Sequence, residues 1–140
     1  MLVLDTNVYS NTGGQSSKAT PTAAVAKFAS AGKSEPKKNL GEMFMSYKNI
    51  YVAEVALGAN FTQTIQALSE AEQYEGSSIV IAYATCINQG VDLSSGMAHM
   101  RDAVDSGFIN IYRYNPSKPA PFTLDCGEIT KPLKEFLSTI

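Results

Sequence analysis

Ile50-Tyr51-Val52-Ala53, Asn60-Phe61-Thr62-Gln63-Thr64-Ile65-Gln66-Ala67-Leu68-Ser69-Glu70-Ala71-Glu72-Gln73-Tyr74 and Ser78-Ile79-Val80-Ile81-Ala82-Tyr83 are the three runs that decide the fold. The first and last are β-branched and aromatic, and the last shows no polar alternation, the pattern of a strand buried on both faces of a parallel sheet. The middle run reads as a helix. Asn60 followed by Gln63 resembles a capping box with Asn in place of Ser or Thr, and Phe61, Ile65, Leu68 and Ala71 fall on one helical face that Gly76 closes. Strand, helix and strand at this spacing form a βαβ unit with a right-handed crossover, so the sheet is expected to be mostly parallel and the class α/β.

Toward the amino terminus, Met1 to Leu4 is a further apolar run and reads as another doubly buried strand. Asp5-Thr6 sit at its carboxyl end, the edge of an open α/β sheet where ligands bind. The loop that follows offers hydroxyls at Thr6, Ser10 and Thr12, amides at Asn7, Asn11 and Gln15, and a Gly13-Gly14 pair that lets the backbone approach a ligand. Such a loop suits a phosphate or a hard cation. Residue types alone leave a second reading open, an ordinary turn built from Asn, Thr and Gly. Thr22 to Ala31 is alanine-rich and predicts a short helix ending near Gly32. Lys33 to Asn39 reads as a surface loop with Lys37-Lys38 as a solvated turn. Leu40, Met43, Phe44 and Tyr47 predict a core-facing helix over 40–47 with Asn39 as its cap.

Toward the carboxyl terminus, Cys86 directly follows the Ser78–Tyr83 run, on the same sheet edge as the opening loop. A lone cysteine also reads as a small buried hydrophobe. Ser95 to Ser106 predicts a helix with Met97, Met100 and Val104 inward and His99, the single histidine, outward in solvent. Phe108 to Tyr114 predicts a strand. The proline-bearing remainder reads as an extended tail with a closing helix around Lys131 to Leu137, and Cys126 within it as a structural or free thiol. Packing accounts for Tyr47, Tyr51 and Tyr83.

With 140 residues, 44% hydrophobic and 17% charged, the chain has the composition of a single ordinary globular unit. A net charge of -2 gives no electrostatic footprint for nucleic acid or an anionic membrane. No apolar run approaches the roughly 20 residues that span a bilayer. Two cysteines without a CxxC pair do not make a disulfide framework and fit a cytoplasmic or similarly reducing compartment.

Leu4-Asp5-Thr6-Asn7-Val8-Tyr9-Ser10-Asn11-Thr12-Gly13-Gly14-Gln15-Ser16-Ser17-Lys18-Ala19-Thr20-Pro21 resembles the second half of the thiamine-diphosphate site of pyruvate:ferredoxin (flavodoxin) oxidoreductases. The resemblance continues through Lys33 to Tyr47, Ala53 to Asn60, Ala82 to Gly90 and Asp105 to Pro116, and is weak beyond about residue 115. It implies an incomplete thiamine-diphosphate-binding fold, three-layer α/β. Residues 1–115 would be the carboxyl-terminal portion of that domain and 116–140 a tail.

By that resemblance, the side-chain oxygen of Thr6 and the backbone carbonyl of Val8 are magnesium ligands. Asn11 is a polar contact at the cofactor beside the 2-oxo acid, and Cys86 is a ligand of the 4Fe–4S cluster nearest the thiamine. The implied reaction is oxidative decarboxylation of pyruvate to acetyl-CoA and carbon dioxide, with coenzyme A as co-substrate and electrons leaving through iron-sulfur clusters to ferredoxin or flavodoxin. The family's glycine-aspartate-glycine turn, which supplies a third magnesium ligand, is absent from these residues, as are three further cluster cysteines. The chain therefore reads as a piece of a larger, homodimeric enzyme, inactive alone. The alternatives are a piece of a non-oxidative thiamine-diphosphate decarboxylase, which needs no thiolate at Cys86, and a non-catalytic binding or assembly fragment.

Overall fold

The computed structural model describes residues 1–140 and contains one five-stranded sheet. Its strands are β1 (Leu2–Asp5), β2 (Tyr51–Val55), β3 (Ser78–Tyr83), β4 (Tyr112–Tyr114) and β5 (Phe122–Leu124), in the order β1-β3-β2-β4-β5. β1 and β2 both pair in parallel with β3, which gives the expected mostly parallel α/β sheet, and β4 and β5 add an antiparallel margin. The helices are α1 (Leu40–Met45), α2 (Phe61–Gln73), α3 (Gly96–Asp105) and α4 (Leu133–Leu137).

Side chains of adjacent strand residues point to opposite faces, and this alternation sorts the core. Val52, Ile79, Ile81 and Tyr112 pack with Leu40, Phe44 and Met45 of α1. Tyr51, Ala53, Val55 and Val80 pack with Ala67 and Ala71 of α2. The sheet is thus sandwiched between α1 and α2. A third cluster joins Tyr83, Ile109 and Ile111 to Ala103 of α3 and Phe136 of α4.

The strand–helix–strand reading holds, with Asn60 capping α2 by accepting a hydrogen bond from the Gln63 amide at 2.9 Å. The inward face of α2 differs from the sequence reading. Gln63, Thr64 and Ala67 are buried, while Phe61 (62%), Ile65 (51%) and Leu68 (43%) are exposed. Small side chains let the helix sit close to the sheet, and the Gln63 amide donates to the Glu54 carbonyl and to Asp125 Oδ2. A similar phase shift turns His99 inward. It is 8% exposed, lies 3.0 Å from the Tyr83 hydroxyl and packs on Phe136, while Met97 is exposed. Desolvation lowers its pKa, favouring the neutral ring.

Three further expectations are corrected. β1 is an edge strand with Leu2 and Leu4 exposed on one face, because only β3 pairs with it. Residues 22–31 form no helix: Ala23 and Phe28 have φ of +67, and Ala26 and Ala29 bridge each other in a tight turn. α1 ends at Met45, leaving Met43 and Tyr47 exposed. The tail contributes β5 as well as the closing helix α4.

The margin is clamped by Arg113. Its guanidinium forks onto both Asp125 carboxylate oxygens at 2.9 and 3.0 Å and reaches Glu70 of α2 at 2.8 Å, with the Arg113 side chain 12% exposed. Removing one partner of so buried a set leaves uncompensated charge, which costs several kcal/mol. Arg113→Met should therefore lower the unfolding free energy by about 3 kcal/mol in urea titration, whereas exposed Arg101→Met should leave it within about 0.5 kcal/mol.

Candidate functional site

The parallel register decides what meets what. Asp5 lies opposite Tyr83 at the carboxyl ends of β1 and β3, so the loops after both strands leave the sheet side by side. Three hydrogen bonds join them: Ala84 N–H donates to the Asp5 carbonyl at 3.0 Å, the Gln89 amide donates to the Thr6 carbonyl, and the Asn88 amide donates to the Ser10 carbonyl at 3.0 Å. Gly14, at φ +88, holds a backbone conformation that side-chain-bearing residues rarely adopt, and a Cβ on it would also crowd the Asn88 side chain at 3.1 Å. The Thr6 and Cys86 segments, far apart in sequence, form one edge.

Within the first loop, residues 9–15 close on themselves through Tyr9 N–H to the Gln15 carbonyl at 2.9 Å and Gly14 N–H to the Tyr9 carbonyl at 2.8 Å. Below them Thr6 turns back. Its hydroxyl donates to the Val8 carbonyl with 3.0 Å between the oxygens. An octahedral magnesium with bonds of about 2.0–2.1 Å sets neighbouring ligand oxygens about 2.9 Å apart, so this pair fits one edge of such a shell. Both oxygens are neutral, so the charge of an ion held there is left for an anion to balance.

Thr6 and Val8 line a cavity of about 760 Å³ together with Asp5, Lys37, Glu54 and Tyr112. Asn11 sits exposed in the 9–15 loop and does not line it. Cys86 is outside it too, buried with a free thiol, just before a single 3₁₀ turn over Ile87–Gln89. No group of three or more His, Cys, Asp or Glu side chains that could hold a metal ion comes together in the chain. Cys126 lies 3.7 Å from Asn110 Oδ1, against the third core cluster.

Three side chains at the site were not legible as functional. Lys37 is no solvated turn: its ammonium reaches Asp5 Oδ2 at 2.5 Å and Asn7 Oδ1 at 2.6 Å. Lys38, its neighbour, is exposed. Lys33 is 8% exposed and donates to the Thr20 carbonyl at 2.6 Å and the Lys18 carbonyl at 3.2 Å. Glu54 stands on the α1 side of β2, and burial raises its carboxyl to about 7, opposed by the nearby Lys37 charge. A single carboxylate inside the apolar run Ile50–Ala56 was the available signal for it.

The sign of the Glu54 effect follows from linkage. An acid whose folded pKa is raised binds more protons folded than unfolded, so stability falls as pH climbs from its ordinary value of 4.5 through about 7. Glu54→Gln should match the wild type at pH 4 and exceed it at pH 8 by up to about 3 kcal/mol, read by urea titration at both pH values.

No protein-family profile matches the chain. It is 52% identical over 141 residues to pyruvate:ferredoxin oxidoreductase of Moorella thermoacetica, an alignment covering 98% of this chain and 12% of that protein. It is 52% identical over 145 residues to pyruvate-flavodoxin oxidoreductase of Klebsiella pneumoniae, with the same two coverages. With pyruvate dehydrogenase (NADP+) of Cryptosporidium parvum it shares 44% over 151 residues, 98% of this chain and 8% of that protein. The chain thus spans about one tenth of the length of these relatives. The alignments run on past residue 115, where the sequence reading expects the similarity to weaken.

Proposed function

The chain belongs, as a segment, to the pyruvate-flavodoxin/ferredoxin oxidoreductase family, and from this we propose that it contributes one half of a magnesium–thiamine-diphosphate site and one thiolate of an adjacent 4Fe–4S cluster. The parent reaction is the oxidative decarboxylation of pyruvate to acetyl-CoA and carbon dioxide. The observation that carries the reading is the pair of hard oxygens, Thr6 Oγ1 and Val8 O, set 3.0 Å apart at the carboxyl end of a parallel strand.

Thr6, through its hydroxyl oxygen, and Val8, through its backbone carbonyl, would hold the metal, and the Thr6–Val8 hydrogen bond is the contact that ligation would replace. By the family's pattern, a third, acidic ligand would come from a glycine-aspartate-glycine turn outside these residues. Gly13 and Gly14 let the loop backbone come close to the diphosphate. Thiamine diphosphate, when bound, supplies the carbanion chemistry by which a 2-oxo acid loses carbon dioxide. Asn11, exposed and outside the cavity in this chain, would present its amide to the 2-oxo acid once the rest of the parent enzyme encloses the 9–15 loop. Cys86 offers sulfur, the ligand an iron-sulfur cluster takes, and its loop is tied to the metal loop through Gln89 and Asn88. Residues 1–115 form the carboxyl-terminal part of the thiamine-diphosphate domain in this reading, and 116–140 its tail.

The relatives that share this segment are named for flavodoxin, ferredoxin or NADP+. Their shared segment under different acceptor names supports placing the choice of flavodoxin, ferredoxin or another acceptor in other parts of the parent enzyme.

In the complete enzyme, Thr6→Val keeps the branched shape and removes the oxygen. It should weaken magnesium-dependent binding of thiamine diphosphate by about tenfold, or about 1.4 kcal/mol, in calorimetric titration. Unchanged affinity would return Thr6 to the role of a strand-end residue. Cys86→Ser offers a harder, mostly protonated oxygen in place of sulfur, so iron content should fall. Carbon dioxide release from pyruvate should outlast electron delivery in parallel assays, and full iron content with both activities reduced in step would sink the assignment.

A further inference from the structure

We propose that Lys37 is a positioning residue for the metal loop, one that fixes the Thr6–Val8 oxygen edge and keeps the neighbouring carboxylate of Asp5 out of the ligand set. This inference rests on the reading of Thr6 and Val8 as metal ligands. Asn7 is the residue between those two, so its backbone dihedrals set how the Thr6 hydroxyl and the Val8 carbonyl face each other. It adopts φ +63, the left-handed region, and is 5% exposed. Three contacts hold it there: its N–H donates to Asp5 Oδ1 at 3.1 Å, its carbonyl accepts from the Thr20 hydroxyl at 2.5 Å, and its side-chain oxygen accepts from the Lys37 ammonium at 2.6 Å. The same ammonium reaches Asp5 Oδ2 at 2.5 Å and so closes a ring of Asp5, Asn7 and Lys37.

Charge gives the second part. Asp5 is the one carboxylate at the end of β1, and a carboxylate is a better ligand for a hard dication than a hydroxyl or an amide carbonyl. Here both of its oxygens are engaged, one by Asn7 N–H and one by Lys37, and its side chain is only 12% exposed. A divalent ion approaching Asp5 meets an ammonium already in place. It is left with the neutral pair, whose geometry the same ammonium maintains.

The test uses the complete enzyme with Mn2+ as a paramagnetic substitute for magnesium, and thiamine diphosphate present. Partners that orient metal ligands typically affect metal affinity by about 10–100-fold when removed. Lys37→Met should change Mn2+ affinity at least about tenfold by electron paramagnetic resonance titration, weakening it where the Thr6–Val8 edge loosens and tightening it where the freed Asp5 carboxylate joins the ligand set, with Lys37→Arg restoring most of the change. In the cofactor-free protein, amide hydrogen exchange over residues 5–9 should speed up in Lys37→Met and not in Lys37→Arg. Should Lys37→Met not fold, Lys37→Gln, which keeps a donor and drops the charge, carries the same comparison. Wild-type Mn2+ affinity in a folded Lys37→Met or Lys37→Gln protein would overturn the inference. Thr6→Val separates the two levels: if it leaves Mn2+ affinity intact, the site reading itself falls and takes this one with it. If it weakens binding while the Lys37 variants keep wild-type affinity, only the role of Lys37 falls.

Discussion

Everything at the candidate site depends on one pairing, the parallel ladder between β1 and β3 that sets Asp5 against Tyr83. Parallel strands end at the same edge, so two loops separated by some eighty positions emerge as neighbours, and short polar side chains can fasten one to the other. The Ala84 amide continues the ladder one step past the strands by donating to the Asp5 carbonyl, and Gln89 and Asn88 extend the junction to Thr6 and Ser10. A register slip of one residue would turn Asp5 and Val3 to the opposite face and dissolve that junction. The chemistry proposed for the loop and that proposed for the thiol are thus joined by backbone geometry before any cofactor is considered.

The second constraint is electrostatic. The opening loop is rich in oxygen, and two lysines from the 33–37 segment fasten it and the stretch after it: Lys37 takes the Asp5 carboxylate and the Asn7 amide oxygen, and Lys33 takes the Lys18 and Thr20 carbonyls. Each ammonium spends its donors on several acceptors at once, which is what makes a partly buried cation tolerable. Glu54 lies close enough to feel both Lys37 and Asp5, so the floor of the cavity carries charges of both signs.

Much of the layered frame was legible because periodicity is a local property. The Ser78–Tyr83 run, the caps at Asn39 and Asn60 and the closing helix after Pro132 all declare themselves within a few residues. The inward faces of α2 and α3 were not, because apolar spacing alone does not reveal that Gln63 finds partners on the sheet or that His99 finds Tyr83. At the site, the roles of Thr6, Val8, Asn11 and Cys86 came from the family resemblance, since residue type and position alone left an ordinary polar turn and a small buried thiol as open readings. Lys37 was missed because its partner lies 32 positions away, a distance no local pattern carries. The tyrosine at 47 was taken for packing and stands in solvent, since α1 stops two residues early, at Met45.

The bare outer edge of β1 bears on how this chain behaves at high concentration. Its backbone donors and acceptors on that side have no strand to meet, and Leu2 and Leu4 stand exposed on one face beside them. Such an edge is a template for any extended apolar segment, including one from another copy. The only charged side chain along the strand is Asp5, and it is engaged by Lys37. With that charge committed to an internal partner, protection of the edge falls to whatever covers it.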